Sequence, residues 1–279
     1  MQTDHSILNV SQGVGLNSNI ILAVLFIVAL VLYLLAVIVS NRKHKPWPIS
    51  RTILWVIGVG CALVAVSGPV AQQAHMEFSF HMLGHLLLGM LAPLLLVLAA
   101  PVTLTLRTLP VTLARRLSNI LKSRMMGLVS DPIFTAIFNI GGLWVLYTTS
   151  LYKAMHHDIL LYLFIHIHVF LAGYLFTISM IYIDPAPHRR GYIYRGIVLI
   201  LALSGHGILS KYIYAHPPIG IPRDQAQSGG MLMYYGGDMI DLILILIFCY
   251  QWYKAARPGM NISKSKDNKN FEEPQPFKG

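Results

Sequence analysis

The amino-acid sequence predicts an all-α integral membrane protein, folded as a bundle of seven transmembrane helices. Of its 279 residues, 55% are hydrophobic and only 11% are charged, whereas soluble domains carry about 25% charged residues. The mean hydropathy is +0.61, and apolar runs close to the ~20 residues that a membrane-crossing helix needs recur along the chain. This composition excludes a soluble enzyme and an intrinsically disordered chain.

Seven apolar runs define the predicted spans, and two of them are weaker than the rest. The second and fourth runs are short and contain glycines, which membrane helices tolerate because small residues let neighbouring backbones approach. The third run is long and holds Pro93 and Pro101, so we expect a kink or a strong tilt in that helix. The predicted spans are Ile20–Val39, Ile53–Val70, Phe80–Leu106, Ile133–Ser150, Ile159–Ile183, Ile193–Ile213 and Met231–Tyr253.

The lysines and arginines fall almost entirely on one side of this predicted topology. Only Lys153, Lys211 and Arg223 of the 21 lie on the other side. Because positive residues are retained in the cytoplasm, the N-terminus is predicted outside and the C-terminus inside. The net charge of +10 then reflects topology, and no nucleic-acid partner is expected. The predicted organisation is an external segment at 1–19, a transmembrane domain at 20–253 and a disordered, basic cytoplasmic tail at 254–279.

Histidine is distributed unevenly between the two predicted sides of the membrane. Ten of the twelve histidines lie on or near the predicted outer side. At ~1.5 Å rise per residue, His85 lies ~7 Å below the outer end of its span, and His166 and His206 lie ~10 Å below theirs. Asp238 and Asp241 reach a similar depth in the seventh span. Ionisable groups inside a membrane are costly and usually face the bundle interior, so this layer predicts a functional site.

The residue types in this layer favour a metal ion. His81 and His85 are spaced i, i+4, so both project from one helix face and can bind one ion. His166 and His168 point ~200° apart, so only one of them can face the same centre, and the sequence leaves the choice open. Imidazole and thioether without thiolate favour copper, and thioether favours Cu(I). Further expected ligands, or groups that orient the ligands, are Met82, His75, Met76, Asp238 and Asp241.

These residue types also have ordinary structural roles in membrane helices. A single histidine is often hydrogen-bonded to a neighbouring helix, which is the alternative for His206. Methionines mostly fill space between other side chains. His156, His157 and His216 lie at the predicted membrane interface, where polar residues are common, and no specific role is expected for them. The two cysteines lie far apart in separate apolar runs, so neither a disulfide framework nor a C-x-x-C motif is available.

Several motifs in the last five spans are shared with a known family. They are His81-Met82-Leu83-Gly84-His85, Ala92-Pro93-Leu94-Leu95-Leu96, Ala100-Pro101-Val102, Ala172-Gly173, Asp184-Pro185-Ala186-Pro187, His206, Asp224-Gln225 and Gly229-Gly230-Met231. In these motifs the chain resembles the CtaG family, multi-pass membrane proteins needed to assemble caa-type cytochrome c oxidase. The resemblance covers roughly residues 70–255. In the fifth span, Ile165-His166 and Ile167-His168 stand where many members have a Glu-His pair.

The resemblance implies a seven-helix protein of the bacterial plasma membrane that handles copper for the external copper centre of the oxidase. The implied ligands are His81, His85, His166 or His168, and His206. The leading hypothesis is therefore a non-catalytic assembly factor that holds Cu(I) near the outer face. Its expected partners are oxidase subunits, an extracytoplasmic copper donor and the lipid bilayer. Two alternatives stay open: an electron-transfer protein with haem between His85 and His166 or His168, and a metal-free assembly scaffold.

Overall fold

The computed structural model describes the backbone of residues 2–257 and the side chains of residues 18–257, and the regular elements in this range are all helical. The all-α prediction is confirmed for this part of the chain. The predicted tail falls almost wholly on residues 258–279, which lie outside the described residues. The helices are α1 Gln2–Lys43, α2 Ile49–Val66, α3 Gly68–Gln73, α4 Phe78–Leu86, α5 Ala92–Leu98, α6 Pro101–Thr108, α7 Val111–Leu121, α8 Arg124–Val129, α9 Pro132–Ala136, α10 Gly142–Thr148, α11 Leu151–Met155, α12 Ile159–Met180, α13 Tyr192–Ala215 and α14 Arg223–Ala256.

Six helical segments in the described range are long and apolar enough to cross a membrane. They are Ser18–Lys43, Ile49–Gln73, Phe78–Leu98, Ile159–Met180, Tyr192–Ala215 and Arg223–Ala256. The fourth predicted span corresponds to a shorter apolar stretch, Pro132–Thr148. At helical rise this stretch covers ~25 Å, less than the ~30 Å of a bilayer core. The chain is therefore a multi-pass membrane protein with about six membrane-length helices and one shorter helix.

The third predicted span, Phe80–Leu106, is interrupted twice. α4 passes through a π-helical turn at Leu87–Leu91 into α5, which ends at Leu98. Ala100 then adopts the left-handed conformation with φ 54°, and Pro101 opens the separate helix α6. Proline has no N–H to donate and fits the first turn of a helix, so the chain changes direction there. The expected distortion is present, and the membrane-length helix ends at Leu98 rather than Leu106.

The connections between the long helices lie at two opposite ends of the bundle. The histidine end contains segments 74–77, 149–158 and 216–222, and the basic end contains segments 44–48, 99–131 and 181–191. At the histidine end, the main-chain N–H of Phe78 donates to Oε1 of Gln225, which ties α4 to α14. At the basic end, Arg190 forms an ion pair of 2.8 Å with Asp131. These contacts join neighbouring segments at each end of the bundle.

Close backbone contacts at glycines fix the centre of the bundle. A methyl group at Gly173 of α12 would overlap the carbonyl oxygen of Gly89 in the first π-helical turn. On α14, a methyl group at Gly229 would come within 2.5 Å of the Phe78 ring. Only glycine allows such approach, because any larger side chain would separate the helices. These contacts bring α12 and α14 against the third helix, which bears His85.

Candidate metal centre

Five histidines line one cavity near the histidine end of the bundle. We call this cavity the rim chamber, and it measures about 530 Å³, including the part that opens to solvent. The five imidazoles come from the α3–α4 connection, α4, the α11–α12 connection and α12. They belong to His75, His81, His85, His156 and His166. Two regions of the chain that are distant in sequence, 75–85 and 156–166, therefore present imidazole nitrogens to one space.

His81 and His85 both face the rim chamber from α4, as their spacing predicts, but their surroundings differ. Nε2 of His81 lies 3.1 Å from the hydroxyl oxygen of Tyr147, and its ring packs edge-on against Tyr152 at 4.9 Å between centroids. His85 is only 7% exposed, and neither of its ring nitrogens has a hydrogen-bond partner among the described residues. An unpaired buried polar group costs about 1–3 kcal/mol. His85 is therefore the imidazole most available to a ligand.

The fifth-span histidines, which the sequence could not separate, occupy different places. Nδ1 of His166 lies 2.9 Å from the main-chain oxygen of Tyr162. Because a carbonyl oxygen only accepts, Nδ1 is the donor, which in the neutral imidazole leaves Nε2 without a proton and able to bind a metal. His168 packs instead against Phe138 at 4.4 Å between ring centroids, and a methyl group at Gly142 would overlap its Nε2. The rim chamber thus contains His166 and not His168.

A second cavity lies further from the histidine end and shares His85 with the first. This deep chamber comprises about 500 Å³ of space between atoms, including the part that opens to solvent, and His206 and Asp241 line it. The ring centroids of His85 and His206 are 6.1 Å apart, and Nε2 of His206 has no hydrogen-bond partner among the described residues. Asn139 and Met90 also line the deep chamber. The predicted ligands therefore line two cavities that share His85.

The other predicted residues line neither chamber. Met82 is fully buried, but it packs in the hydrophobic core with Phe78 and Met233. Met76 is 70% exposed, and Asp238 is exposed on α14 although Asp241 on the same helix is buried. Counting residues along a helix gives the depth of a side chain in the membrane but not the helix face on which it lies. This explains why residues predicted at similar depth do not all line a chamber.

Sequence reasoning missed several residues of the two chambers. His156 was assigned no specific role, yet its ring lies 5.5 Å from that of His75 and lines the rim chamber. Tyr147 and Tyr162, which contact His81 and His166, were not considered either. The available signal for His156 was its place just before Ile159, where the helix that bears His166 begins. For Asn139, the signal was an amide side chain inside an apolar run.

Imidazole is a type of donor that copper binds, but the described donors are not grouped as a complete set of ligands. Among the described side chains, no three of the His, Cys, Asp or Glu type are grouped so that they could hold one metal ion. Burial lowers the pKa of His75 below its ordinary value, and burial together with the nearby His75 and His166 lowers the pKa of His156 to about 4. Both imidazoles are therefore neutral near pH 7, and neutral imidazole is the form that binds metals.

Comparison with known proteins gives relatives but no structural match. An uncharacterised protein of Mycobacterium tuberculosis is 35% identical over 160 residues, which cover 54% of this chain and 24% of the relative. An uncharacterised protein of Mycobacterium leprae is 29% identical over 243 residues, covering 76% of this chain and 35% of the relative. The chain thus spans about a quarter to a third of the length of these curated relatives. No solved structure matches it.

The family model of the cytochrome c oxidase caa3 assembly factor, CtaG, matches residues 31–255. The match begins before the motif-based resemblance at residue 70, so α2 and half of the membrane-length part of α1 are included. Together with the bacterial relatives, the apolar helices identify a multi-pass bacterial membrane protein. The chain belongs to the cytochrome c oxidase caa3 assembly factor family.

Proposed function

We propose that this protein supports cytochrome c oxidase assembly by holding Cu(I) in the rim chamber and passing it to an oxidase subunit. The observation that supports this most directly is the convergence of five imidazoles, from two regions that are distant in sequence, on one cavity. Imidazole is a copper ligand, and the donor set contains no thiolate that would favour zinc. Family membership supports the assembly role itself.

The proposed work is ligand exchange and not catalysis. His85, whose two nitrogens are unpaired, and His166, whose Nε2 is unprotonated, are the proposed inner ligands. His81 joins them when its Nε2 leaves the Tyr147 hydroxyl. His75 and His156 lie at the mouth, with their rings 5.5 Å apart, and take the ion during transfer. Because Cu(I) tolerates low coordination numbers, it can move between pairs of imidazoles without a complete preformed cage.

The proposal requires the histidine end to face outwards. We propose seven spans, with Pro132–Thr148 as a short fourth span, the N-terminus outside and the C-terminus in the cytoplasm. The excess of lysine and arginine in the basic-end connections supports this orientation. Alkaline phosphatase fused after Ser150 or Pro218 should be active, and fusions after Ile120 should be inactive. The reverse pattern would place the rim chamber at the cytoplasmic face and contradict delivery to an external copper centre.

The proposed partners are an oxidase subunit that receives the copper and an extracytoplasmic protein that donates it.

Copper binding is tested by competition with a chromophoric Cu(I) chelator on protein purified in detergent. The double variant His81→Ala/His85→Ala should lose at least tenfold in affinity, since two of the five rim imidazoles are removed. His188→Ala at the basic end is the matched control and should bind as the wild type does. Equal affinity in all three proteins would refute the metal role.

The two alternative functions give different results in simple measurements. A Soret band in the absorption spectrum of the purified protein would support haem and count against copper. Normal oxidase activity in cells that carry alanine at His81, His85, His166 and His206 would support a metal-free scaffold. We expect no Soret band and a loss of oxidase activity that added copper partly restores.

A further inference from the structure

A cavity at the basic end of the bundle is lined by positively charged side chains. This cavity, which we call the basic pocket, comprises about 1160 Å³ of space between atoms, including the part that opens to solvent. None of the described residues that line it is an aspartate or a glutamate. Its lysines and arginines come from the end of α1, from α6 and from α7 with its C-cap, and they are Lys43, Arg107, Arg115 and Lys122. A pocket with this charge attracts an anionic ligand.

The four cations of the basic pocket have no carboxylate partner in the part of the chain that the structure describes. The ion pair found there, between Arg190 and Asp131, does not involve any of them. Arg107 donates a hydrogen bond to the main-chain oxygen of Lys45, and its guanidinium lies over the Trp47 ring at 5.7 Å from the centroid. These contacts hold the guanidinium in place but leave its charge uncompensated. Because like charges repel, an anion bound among the four cations would stabilise this arrangement.

An apolar groove lies next to the basic pocket. The groove comprises about 1040 Å³ of space between atoms, including the part that opens to its surroundings, and none of the described residues that line it is charged. It extends from Pro101 at the basic end to Phe26 and Phe170, whose rings pack edge-on at 5.0 Å between centroids. On α6, Thr105 lines the groove and the next residue, Leu106, lines the basic pocket. The aliphatic and aromatic lining suits a hydrocarbon chain.

The helix α7 contributes to both cavities. Leu117 and Leu121 line the apolar groove, whereas Ser118 and Lys122, each the next residue along the chain, line the basic pocket. Consecutive residues point about 100° apart on a helix, so one side of α7 faces the groove and the adjacent side faces the pocket. A ligand with a charged part and an apolar part can therefore occupy both cavities across a single helix.

The sequence of α7 is typical of a helix that lies along the membrane surface. Leu113, Leu117 and Ile120 share one face, and none of the residues of α7 is fully buried. Arg115 and Arg116 lie on the other face, and both are exposed. Helices with this division lie at the boundary between lipid headgroups and acyl chains. The basic pocket is therefore at the level of the headgroups, and the apolar groove is on the acyl-chain side.

We infer that the basic pocket and the apolar groove together bind one anionic phospholipid, with its phosphate among Arg107, Arg115 and Lys122 and one acyl chain in the groove. A free phosphate ion would use only the pocket, and a neutral lipid would use only the groove. A choline headgroup would add a positive charge to a pocket that already holds four, so a lipid with net negative charge is favoured. The inference does not depend on the proposed copper function, because the two cavities share no lining residue with the rim or deep chamber.

Native mass spectrometry of the full-length protein in detergent tests the inference, with dioleoyl phosphatidylglycerol or dioleoyl phosphatidylcholine added. The wild type should retain one phosphatidylglycerol at about tenfold lower concentration than phosphatidylcholine. Arg115→Gln/Lys122→Gln should lose this preference, because two of the four cations are removed. Arg116→Gln/Arg124→Gln removes the same charge from the same connection but outside the pocket, and it should keep the preference. Equal retention of both lipids by the wild type, or identical behaviour of the two double variants, would overturn the inference.

Two further measurements distinguish a phospholipid from other occupants. Phosphatidylglycerol should raise the midpoint of thermal unfolding of the wild type, and glycerol 3-phosphate at the same concentration should not. An equal rise with both would make the pocket a phosphate site and overturn the inference. Ala29→Phe places a ring in the groove and should weaken phosphatidylglycerol retention, whereas Val28→Phe, on the same helix but outside the groove, should not. Equal retention by these two variants would exclude an acyl chain from the groove and overturn the inference. A lipid-free dimer that Arg115→Gln/Lys122→Gln dissociates would assign the cavities to a second copy of the chain and also overturn it.

Discussion

The imidazoles of His85 and His206 face each other across 6.1 Å between centroids, with their planes 28° apart. His85 comes from α4 and His206 from α13, so the pair joins two helices that are distant in sequence. Three of their four ring nitrogens are buried without a hydrogen-bond partner among the described residues. This pair stands where the rim chamber and the deep chamber meet, since His85 lines both cavities and His206 lines the deep one.

Substitution of the two fifth-span histidines should have unequal effects on copper binding. His166→Ala removes an unprotonated nitrogen from the rim chamber and should weaken Cu(I) binding about tenfold, roughly 1.4 kcal/mol. His168→Ala should leave the affinity unchanged, because its ring packs against Phe138 outside the chamber. Chelator competition on the two purified variants measures both values. A larger loss in His168→Ala than in His166→Ala would mean that the wrong histidine has been assigned to the site.

Substitution of Gly173 should destabilise the whole bundle. Gly173→Ala introduces a methyl group that overlaps the carbonyl oxygen of Gly89, so α12 must move away from the third helix. Such overpacking costs about 1–3 kcal/mol. Thermal unfolding in detergent should show a lower midpoint, and copper affinity should fall because Gly89 lies one turn from His85.

Gly60→Ala is the matched control for that substitution. A methyl group at Gly60 meets nothing within 4 Å, and alanine favours the helix over glycine by about 1 kcal/mol. The midpoint of Gly60→Ala should therefore equal or exceed that of the wild type. A Gly173→Ala protein as stable as Gly60→Ala would show that α12 and the π-helical turn do not pack as closely as described.

The helical fold could be predicted because it depends on hydrophobicity summed over long segments. Runs such as Ile159–Ile183 and Ile193–Ile213 agree with α12 and α13 to within a few residues. The interruption of the third helix was expected from its prolines, but its location was not. The π-helical turn precedes Pro93, and the left-handed residue Ala100 ends the span. Such local distortions depend on tertiary contacts that hydropathy does not record.

The candidate site could be predicted in composition but not in arrangement. The level of His85, His166 and His206 in the membrane followed from counting residues along each helix. Which histidines share a cavity depends on helix rotation, and a membrane helix that is apolar on all sides gives little indication of its rotation. That is why the sequence could not choose between His166 and His168, and why it could not foresee that His85 lines two chambers.

The Asp184-Pro185-Ala186-Pro187 motif has a structural role that can be tested. Asp184 accepts hydrogen bonds from the main-chain N–H groups of Val102 at 3.1 Å and Thr103 at 2.7 Å, so it caps α6 from a distant part of the chain. Asp184→Asn removes the negative charge at that helix N-terminus and should lower stability by about 1 kcal/mol. Thermal unfolding measures the change, and Asp238→Asn, at an exposed site, should unfold as the wild type does. Equal midpoints for the two variants would rule out a capping contribution from the Asp184 charge.

Acid should destabilise the histidine end through His156. Burial, with the nearby His75 and His166, lowers the pKa of His156 to about 4 in the folded protein, while an unfolded histidine titrates near ~6.5. Between these two pKa values the unfolded chain binds a proton that the folded chain does not. The free energy of unfolding is therefore highest above about pH 6.5 and decreases as the pH falls towards 4. The midpoint of thermal unfolding should therefore be lower at pH 5 than at pH 7.5. The difference between the two pH values should be smaller in His156→Gln, whereas His216→Gln, which alters an exposed histidine at the same end of the bundle, should keep the wild-type difference. An identical acid response in His156→Gln and the wild type would show that His156 is not buried in a neutral form.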